Sequence, residues 1–124
     1  MAYSYVLFVD DDFWCHLESC EFLRNHGLNV VEAYTVAEAC KEIERGAPLT
    51  ALVTDVDLED CIDGYDIARL ARAAYPGLPV VFMSGTSKTR YLTEAVTRSE
   101  FISKPFRPQQ IVDALGRMTC LEAA

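Results

Sequence analysis

Lysine is scarce in this sequence. Only Lys41, Lys88 and Lys104 occur, the arginines are scattered, and the formal charge is -8, so no basic stripe exists. Phosphate backbones are bound chiefly through clustered Lys and Arg, which argues against direct contact with nucleic acid and against docking on an anionic membrane. Long apolar runs are missing too; none approaches the ~18 residues that a spanning helix needs. The opening MAYSYVLFVDDD has no basic stretch ahead of its apolar run, which ends in three acids, so it does not read as a secretory signal. The five cysteines are odd in number and form no C-x-x-C pair. Cys15-His16 lacks nearby ligands that would complete a tetrahedral zinc site. Together these absences predict a cytoplasmic, reducing setting in which the thiols act as small hydrophobes.

What is present is enough for one core. The chain has 124 residues, 51% of them hydrophobic, close to the usual size of one domain. No internal repeat, low-complexity tract or linker interrupts it, and the expectation is a single domain over residues 1–124 with any output domain outside this chain. Five strand-like apolar runs alternate with helical patterns. Tyr5–Val9, Asn29–Ala33, Leu49–Thr54, Pro79–Met83 and Phe101–Ser103 read as strands. The first helix is expected from Phe13 to Asn25, with Asp12 as N-cap and Phe13, Leu17, Cys20 and Leu23 on its apolar face. Thr35 with Glu38 spells a capping box for a second helix, expected to run to Arg45. A third helix should span Gly64 to Tyr75 with Ile67, Leu70, Ala71 and Ala74 inward, and Pro76-Gly77 ends it. A weaker one covers about Lys88 to Val96. A last one starts at Pro108, with Ile111, Val112, Leu115 and Met118 on one face. Strict βα alternation, with strands apolar on both faces, predicts a parallel sheet covered by helices on both sides.

In such a sheet, ligands sit beyond the carboxyl ends of the strands. Asp10, Asp11 and Asp12 follow the first strand, Asp55 the third, Ser84 the fourth, and Lys104 with Pro105 the fifth. Carboxylates gathered at one edge suit a hard cation such as Mg²⁺, which takes oxygen ligands and bridges carboxylate to phosphate. A carboxylate can itself act as a nucleophile and carry a phosphoryl group, whose oxygens then need donors of the Lys104 and Ser84 kind. A single acid suffices to cap a helix, so three in a row after a buried strand exceed that need. Asp60 and Asp63 read as solvated loop acids, Asp63 with a capping role. His16 and His26 read as partly exposed helix residues without an assigned function. Trp14, beside the acids, reads either as a packed aromatic or as a partner-docking surface shared with Phe13 and Leu17.

FVDDD (8–12), LVTD (52–55), VVFMSG (80–85) and FISKPF (101–106) resemble the four signatures of response-regulator receiver domains of two-component signalling, in the same order and across essentially the whole chain. The resemblance implies a flavodoxin-like (βα)5 three-layer sandwich with strand order 2-1-3-4-5. It implies that Asp55 is the phosphoacceptor. Asp10, Asp11, Asp55 and the Asp57 backbone carbonyl would hold Mg²⁺. Ser84 and Lys104 would bind the phosphoryl group, Phe101 would switch with Ser84, and the peptide before Pro105 would be cis. It also implies a sensor histidine kinase or histidine phosphotransfer protein as phosphodonor, and a signalling rather than a metabolic role. Three features depart from the common pattern. Glu59 stands where proline is frequent, Gly85 stands where alanine is frequent, and the loop from Asp55 to Gly64 is one residue longer. Two readings compete: a receiver-like binding module independent of phosphate, and a haloacid-dehalogenase-type phosphohydrolase suggested by DVDLE (55–59). A flavin carrier fits poorly, because the acids after the first strand would repel a flavin phosphate. An EF-hand fails because Asp60 occupies its glycine position.

Overall fold

A computed structural model describes residues 5–58, 61–86 and 88–123, with side chains through Met118. Glu59, Asp60, Ser87 and the side chain of Cys120 lie outside the described residues. The elements alternate without exception: β1 Tyr5–Val9, α1 Phe13–Asn25, β2 Asn29–Ala33, α2 Val36–Glu44, β3 Ala51–Asp55, α3 Gly64–Ala74, β4 Val80–Ser84, α4 Thr89–Glu94, β5 Ser99–Ser103 and α5 Pro108–Ala123. The strands form one parallel sheet in the order β2-β1-β3-β4-β5.

Side chains of successive strand residues point to opposite faces, and the two cores follow from that alternation. Leu7, Val9, Leu52, Val80 and Phe82 face α2 and α3, where Ala39, Ile43, Ile67 and Ala71 close the layer. Val6, Phe8, Val53, Val81 and Met83 face the other way, against Cys20 and Leu23 of α1 and Ile111, Ala114 and Leu115 of α5. The result is the expected three-layer sandwich. Among the described residues, no helix is long and apolar enough to cross a membrane.

Several local expectations are corrected. α1 buries His16, Ser19, Cys20 and Leu23, whereas Phe13 and Leu17 are 54% and 45% exposed. The buried face is rotated because His16 is fully buried, with its ring nitrogens 2.9 Å from the Asp10 main-chain oxygen and 3.0 Å from Glu32 Oε1. Thr35 caps α2 as its spacing predicts, but Glu38 reaches back to the main-chain N–H of Tyr34 rather than to that of Thr35. Leu70 and Ala74 of α3 face solvent. β3 runs from Ala51 rather than from Leu49 and includes Asp55. β4 likewise extends to Ser84. β5 begins two residues early, at Ser99, because Ser99 and Glu100 pair with Val80 and Val81 along the sheet edge, where polar residues are tolerated. α4 is shorter than predicted and buries none of its residues.

Candidate functional site

The carboxyl ends of β1, β3, β4 and β5 lie side by side; Asp10 and Asp11 follow β1, and Asp55, Ser84 and Lys104 stand at the ends of the other three. Val9 pairs with Thr54 and Asp55 with Met83, so Asp10 and Asp55 emerge next to each other at the sheet edge. Both are buried, at 0% and 4% exposure, while Asp11 is exposed at the rim. Carboxylate oxygens of Asp10, Asp11 and Asp55 lie within 4.8 Å of one another. Asp12 turns away from this group: its side chain accepts from the Cys15 N–H and caps α1. Asp10 in turn accepts from the Asp12 N–H at 2.9 Å, which fixes one of its oxygens.

Lys104 enters from the end of β5. Its main-chain N–H donates to the Ser84 carbonyl at 2.8 Å, and the Lys104–Pro105 peptide is cis. Its ammonium group donates to Asp55 Oδ2 at 3.0 Å and to Asp10 Oδ2 at 3.3 Å. The Asp57 N–H donates to the other Asp55 oxygen, Oδ1, at 3.1 Å. Burial pushes the Asp55 carboxyl up to about 6; Lys104 opposes the rise and Asp10 adds to it. Burial pulls Lys104 down, but the charges of Asp55 and Asp10 outweigh it and hold the ammonium above its ordinary range. One ammonium therefore serves a cluster of acids, and the cluster keeps an excess of negative charge in a poorly solvated place. All-oxygen donors, two of them buried and undercompensated, fit a hard divalent cation.

Ser84, 1% exposed, ends β4 on the far side of Asp55. Its hydroxyl donates to Asp57 Oδ2 at 2.9 Å and accepts from the Thr86 N–H at 3.0 Å. Phe101 stands back from the acids. It is half-buried in β5, opposite Phe82, with its ring 5.5 Å from that of Tyr91 on α4. The structure thus brings Asp10, Asp11, Asp55 and Lys104 into one cluster, hangs Ser84 on it through Asp57, and leaves Phe101 in the adjoining strand.

Other residues shape the site without a signal in the sequence pattern. Gly64 is one: a Cβ there would lie 2.3 Å from the Asp55 carbonyl oxygen and 2.9 Å from the Val56 Cα. Only glycine lets α3 start this close to the end of β3. His16 is another, since its ring nitrogen lies 2.9 Å from the main-chain oxygen of Asp10 and fixes that turn of chain. Its partner Glu32 is also paired with Arg24 at 2.7 Å. Asp63 caps α3 in a reciprocal capping box with Asp66, as its sequence position suggests. Trp14 is 74% exposed, which removes the packed-core reading. It flanks an open groove of about 470 Å³ beside Lys104, walled also by Cys15, Ser19, Pro105 and Phe106.

Comparison with known proteins agrees with this fold. The model of the response regulator receiver domain family matches residues 6–116. A response regulator receiver protein of Anaeromyxobacter sp. is 32% identical over 110 residues, covering 89% of this chain and 43% of that protein. The transcriptional regulatory protein CssR of Bacillus subtilis is 30% identical, covering 90% of this chain and 49% of that protein. This chain therefore spans less than half the length of each of these two relatives. Among solved structures, a response regulator receiver protein from Sinorhizobium medicae superposes with a TM-score of 0.89 at 28% identity, covering 94% of both chains. The receiver domain of the hybrid histidine kinase CckA gives a TM-score of 0.79 at 28% identity, covering 93% of this chain and 98% of that one. With a receiver-family match over this span, the phosphohydrolase and flavin-carrier readings are set aside.

Proposed function

Because this chain belongs to the response regulator receiver family, the signalling domains of two-component systems, we propose that Asp55 accepts a phosphoryl group from a phosphohistidine on a sensor histidine kinase or histidine phosphotransfer protein. The observation that carries the proposal is the buried Asp55 carboxylate, bonded to Lys104 at 3.0 Å and clustered with Asp10 and Asp11. Asp10, Asp11, Asp55 and the Asp57 carbonyl would hold Mg²⁺, which when bound supplies positive charge against the acids and the incoming phosphate.

The transfer needs the ionised form of Asp55, and a carboxyl held near 6 is mostly ionised at neutral pH. A carboxylate oxygen forms a bond to phosphorus as the phosphorus–nitrogen bond of the donor breaks, and the electron pair leaves with the imidazole. Lys104 then turns from the carboxylate to a phosphoryl oxygen, and Ser84 donates to another. The switch follows through β5 and α4, where Phe101 packs on Tyr91. The output is a conformational state read by a partner or by an output domain outside this chain. The test is intact mass after incubation with acetyl phosphate and Mg²⁺. One added phosphoryl group is expected, absent in Asp55→Asn and absent without metal. An adduct that persists in Asp55→Asn would move the acceptor elsewhere. No adduct, together with no response to beryllofluoride, would favour a module that binds without phosphate.

A further inference from the structure

The hydrogen bonds around Ser84 admit one assignment. The Asp57 carboxylate can only accept, so the bond of 2.9 Å between Ser84 Oγ and Asp57 Oδ2 uses the single hydroxyl proton of Ser84. The contact of 2.7 Å between Ser84 Oγ and Thr86 Oγ1 must then run the other way, with Thr86 as donor. The Thr86 N–H adds a second donation at 3.0 Å. Ser84 gives one bond and accepts two, so its hydroxyl is saturated and its proton is committed.

The two ends of the Ser84–Asp57 bond differ in a way that makes it reversible. Ser84 is 1% exposed, and a buried hydroxyl without an acceptor is costly. Asp57 is exposed, so its carboxylate can return to water at little cost. Without Asp57, Ser84 could pass its proton only to the neutral Thr86 hydroxyl at 2.7 Å, a weaker acceptor than a carboxylate, so the bond to Asp57 is favoured until another charged acceptor arrives. Asp57 also donates its main-chain N–H to Asp55 Oδ1 at 3.1 Å, so one residue holds both Asp55 and the hydroxyl that would meet a group carried on Asp55.

We propose that the Asp57 side chain is a latch for the unphosphorylated state: it holds the Ser84 hydroxyl until a phosphoryl oxygen on Asp55 takes that proton instead. This rests on the function proposed above. Asp57 acts here as a positioning residue, through Ser84, and the bond has to be broken for each switching event. Its carboxylate also adds negative charge near an incoming anion, and the test must separate the two effects.

Beryllofluoride, titrated in excess Mg²⁺ with Trp14 fluorescence as readout, measures how readily the site takes a phosphoryl-like group. Asp57→Asn removes the charge but keeps an acceptor for Ser84; Asp57→Ala removes both. Beryllofluoride is expected to bind Asp57→Ala about fivefold more tightly than Asp57→Asn, the factor that one ordinary hydrogen bond is worth. In a Ser84→Ala background that extra gain should vanish, leaving the two Asp57 variants alike. Equal affinities for the two variants with Ser84 intact, or the same fivefold gap without it, would overturn the latch. If the unsubstituted protein binds beryllofluoride but shows no such coupling, only the latch falls. If it binds none, the phosphoacceptor reading falls and takes the latch with it.

Discussion

Helices α3 and α4 flank the same site and are held in opposite ways. α3 buries Gly64, Tyr65, Ile67, Ala68 and Ala71 and starts with a reciprocal capping box between Asp63 and Asp66. α4 has six residues, buries none, and its N-cap residue Lys88 makes no side-chain capping bond. One partly buried side chain, Tyr91, packs α4 on Phe82 and Phe101, and the rest of its hold is polar: Arg90 reaches Asp63 of the α3 cap, Arg69 donates to the Glu94 carbonyl at 3.0 Å, and the Tyr91 hydroxyl donates to the Ser99 carbonyl at 2.8 Å. Apolar burial of a few side chains contributes several kcal/mol, whereas exposed ion pairs contribute little. Asp55 thus sits against the anchored half, at the start of α3, while Tyr91 of the tethered half packs on Phe101, the residue proposed to switch. That division suits the proposed function, in which the phosphoacceptor would keep its geometry while the segment beside it moves.

The anchored half can be broken most severely at Gly64. A methyl group there would meet the Asp55 carbonyl at 2.3 Å, and backbone has to give way. Gly64→Ala is expected to cost about 2–3 kcal/mol in urea denaturation, in the range of core overpacking. It should also lower acetyl phosphate labelling by far more than the loss of stability explains, because the displaced atoms belong to Asp55 itself. Wild-type labelling in Gly64→Ala would mean that α3 shifts as a body and leaves the site intact.

A second prediction concerns what it costs the anchored half to hold charge. In the folded protein Asp55 is raised to about 6 from an ordinary value of 3.8. Between these values the native state binds the proton and the unfolded state does not, so stability falls as pH rises from about 4 to about 6 and stays lower above that. Asp55→Asn removes the penalty. Its melting temperature should exceed wild type by several degrees at pH 8, and the gap should shrink as pH falls toward 4. A gap that does not change with pH would mean that burial of Asp55 is fully compensated by Lys104.

The two halves are unequally legible in the sequence. An apolar run that ends in an acid or a lysine is a local pattern, and with strict βα alternation it is enough to gather Asp10, Asp11, Asp55 and Lys104 at one sheet edge. Asp63 and Thr35 are readable as helix starts because capping is local too. The role of Gly64 against Asp55 is not, since it depends on how closely two elements approach. His16 escapes the sequence pattern for a related reason: its partners are the main chain of Asp10 and a carboxylate on β2, sixteen residues away. β5 reads short in the sequence because an edge strand carries polar residues that mimic a loop. The Ser84–Asp57 bond joins residues 27 apart, and nothing in either segment announces it.

The weakest of the expected effects tests the tethered half directly. Arg90 spans from α4 to Asp63, pairs with Glu94 at 2.8 Å, and lies over the Tyr65 ring at 5.1 Å. It is half-exposed, so solvent screens these pairs and little global stability depends on them. Arg90→Ala should leave the melting temperature within a few degrees of wild type. Amide hydrogen exchange, however, reports local opening rather than the global transition. With the link to α3 cut, exchange in α4 should accelerate while β1, β3 and α3 keep their protection. Raising the salt concentration should push wild type in the same direction and leave Arg90→Ala less affected. If α4 exchanges no faster in the variant, then Tyr91 and Arg69 hold the helix by themselves. The contrast between the two helices would then rest on side-chain hydrogen bonds to main-chain carbonyls rather than on ion pairs.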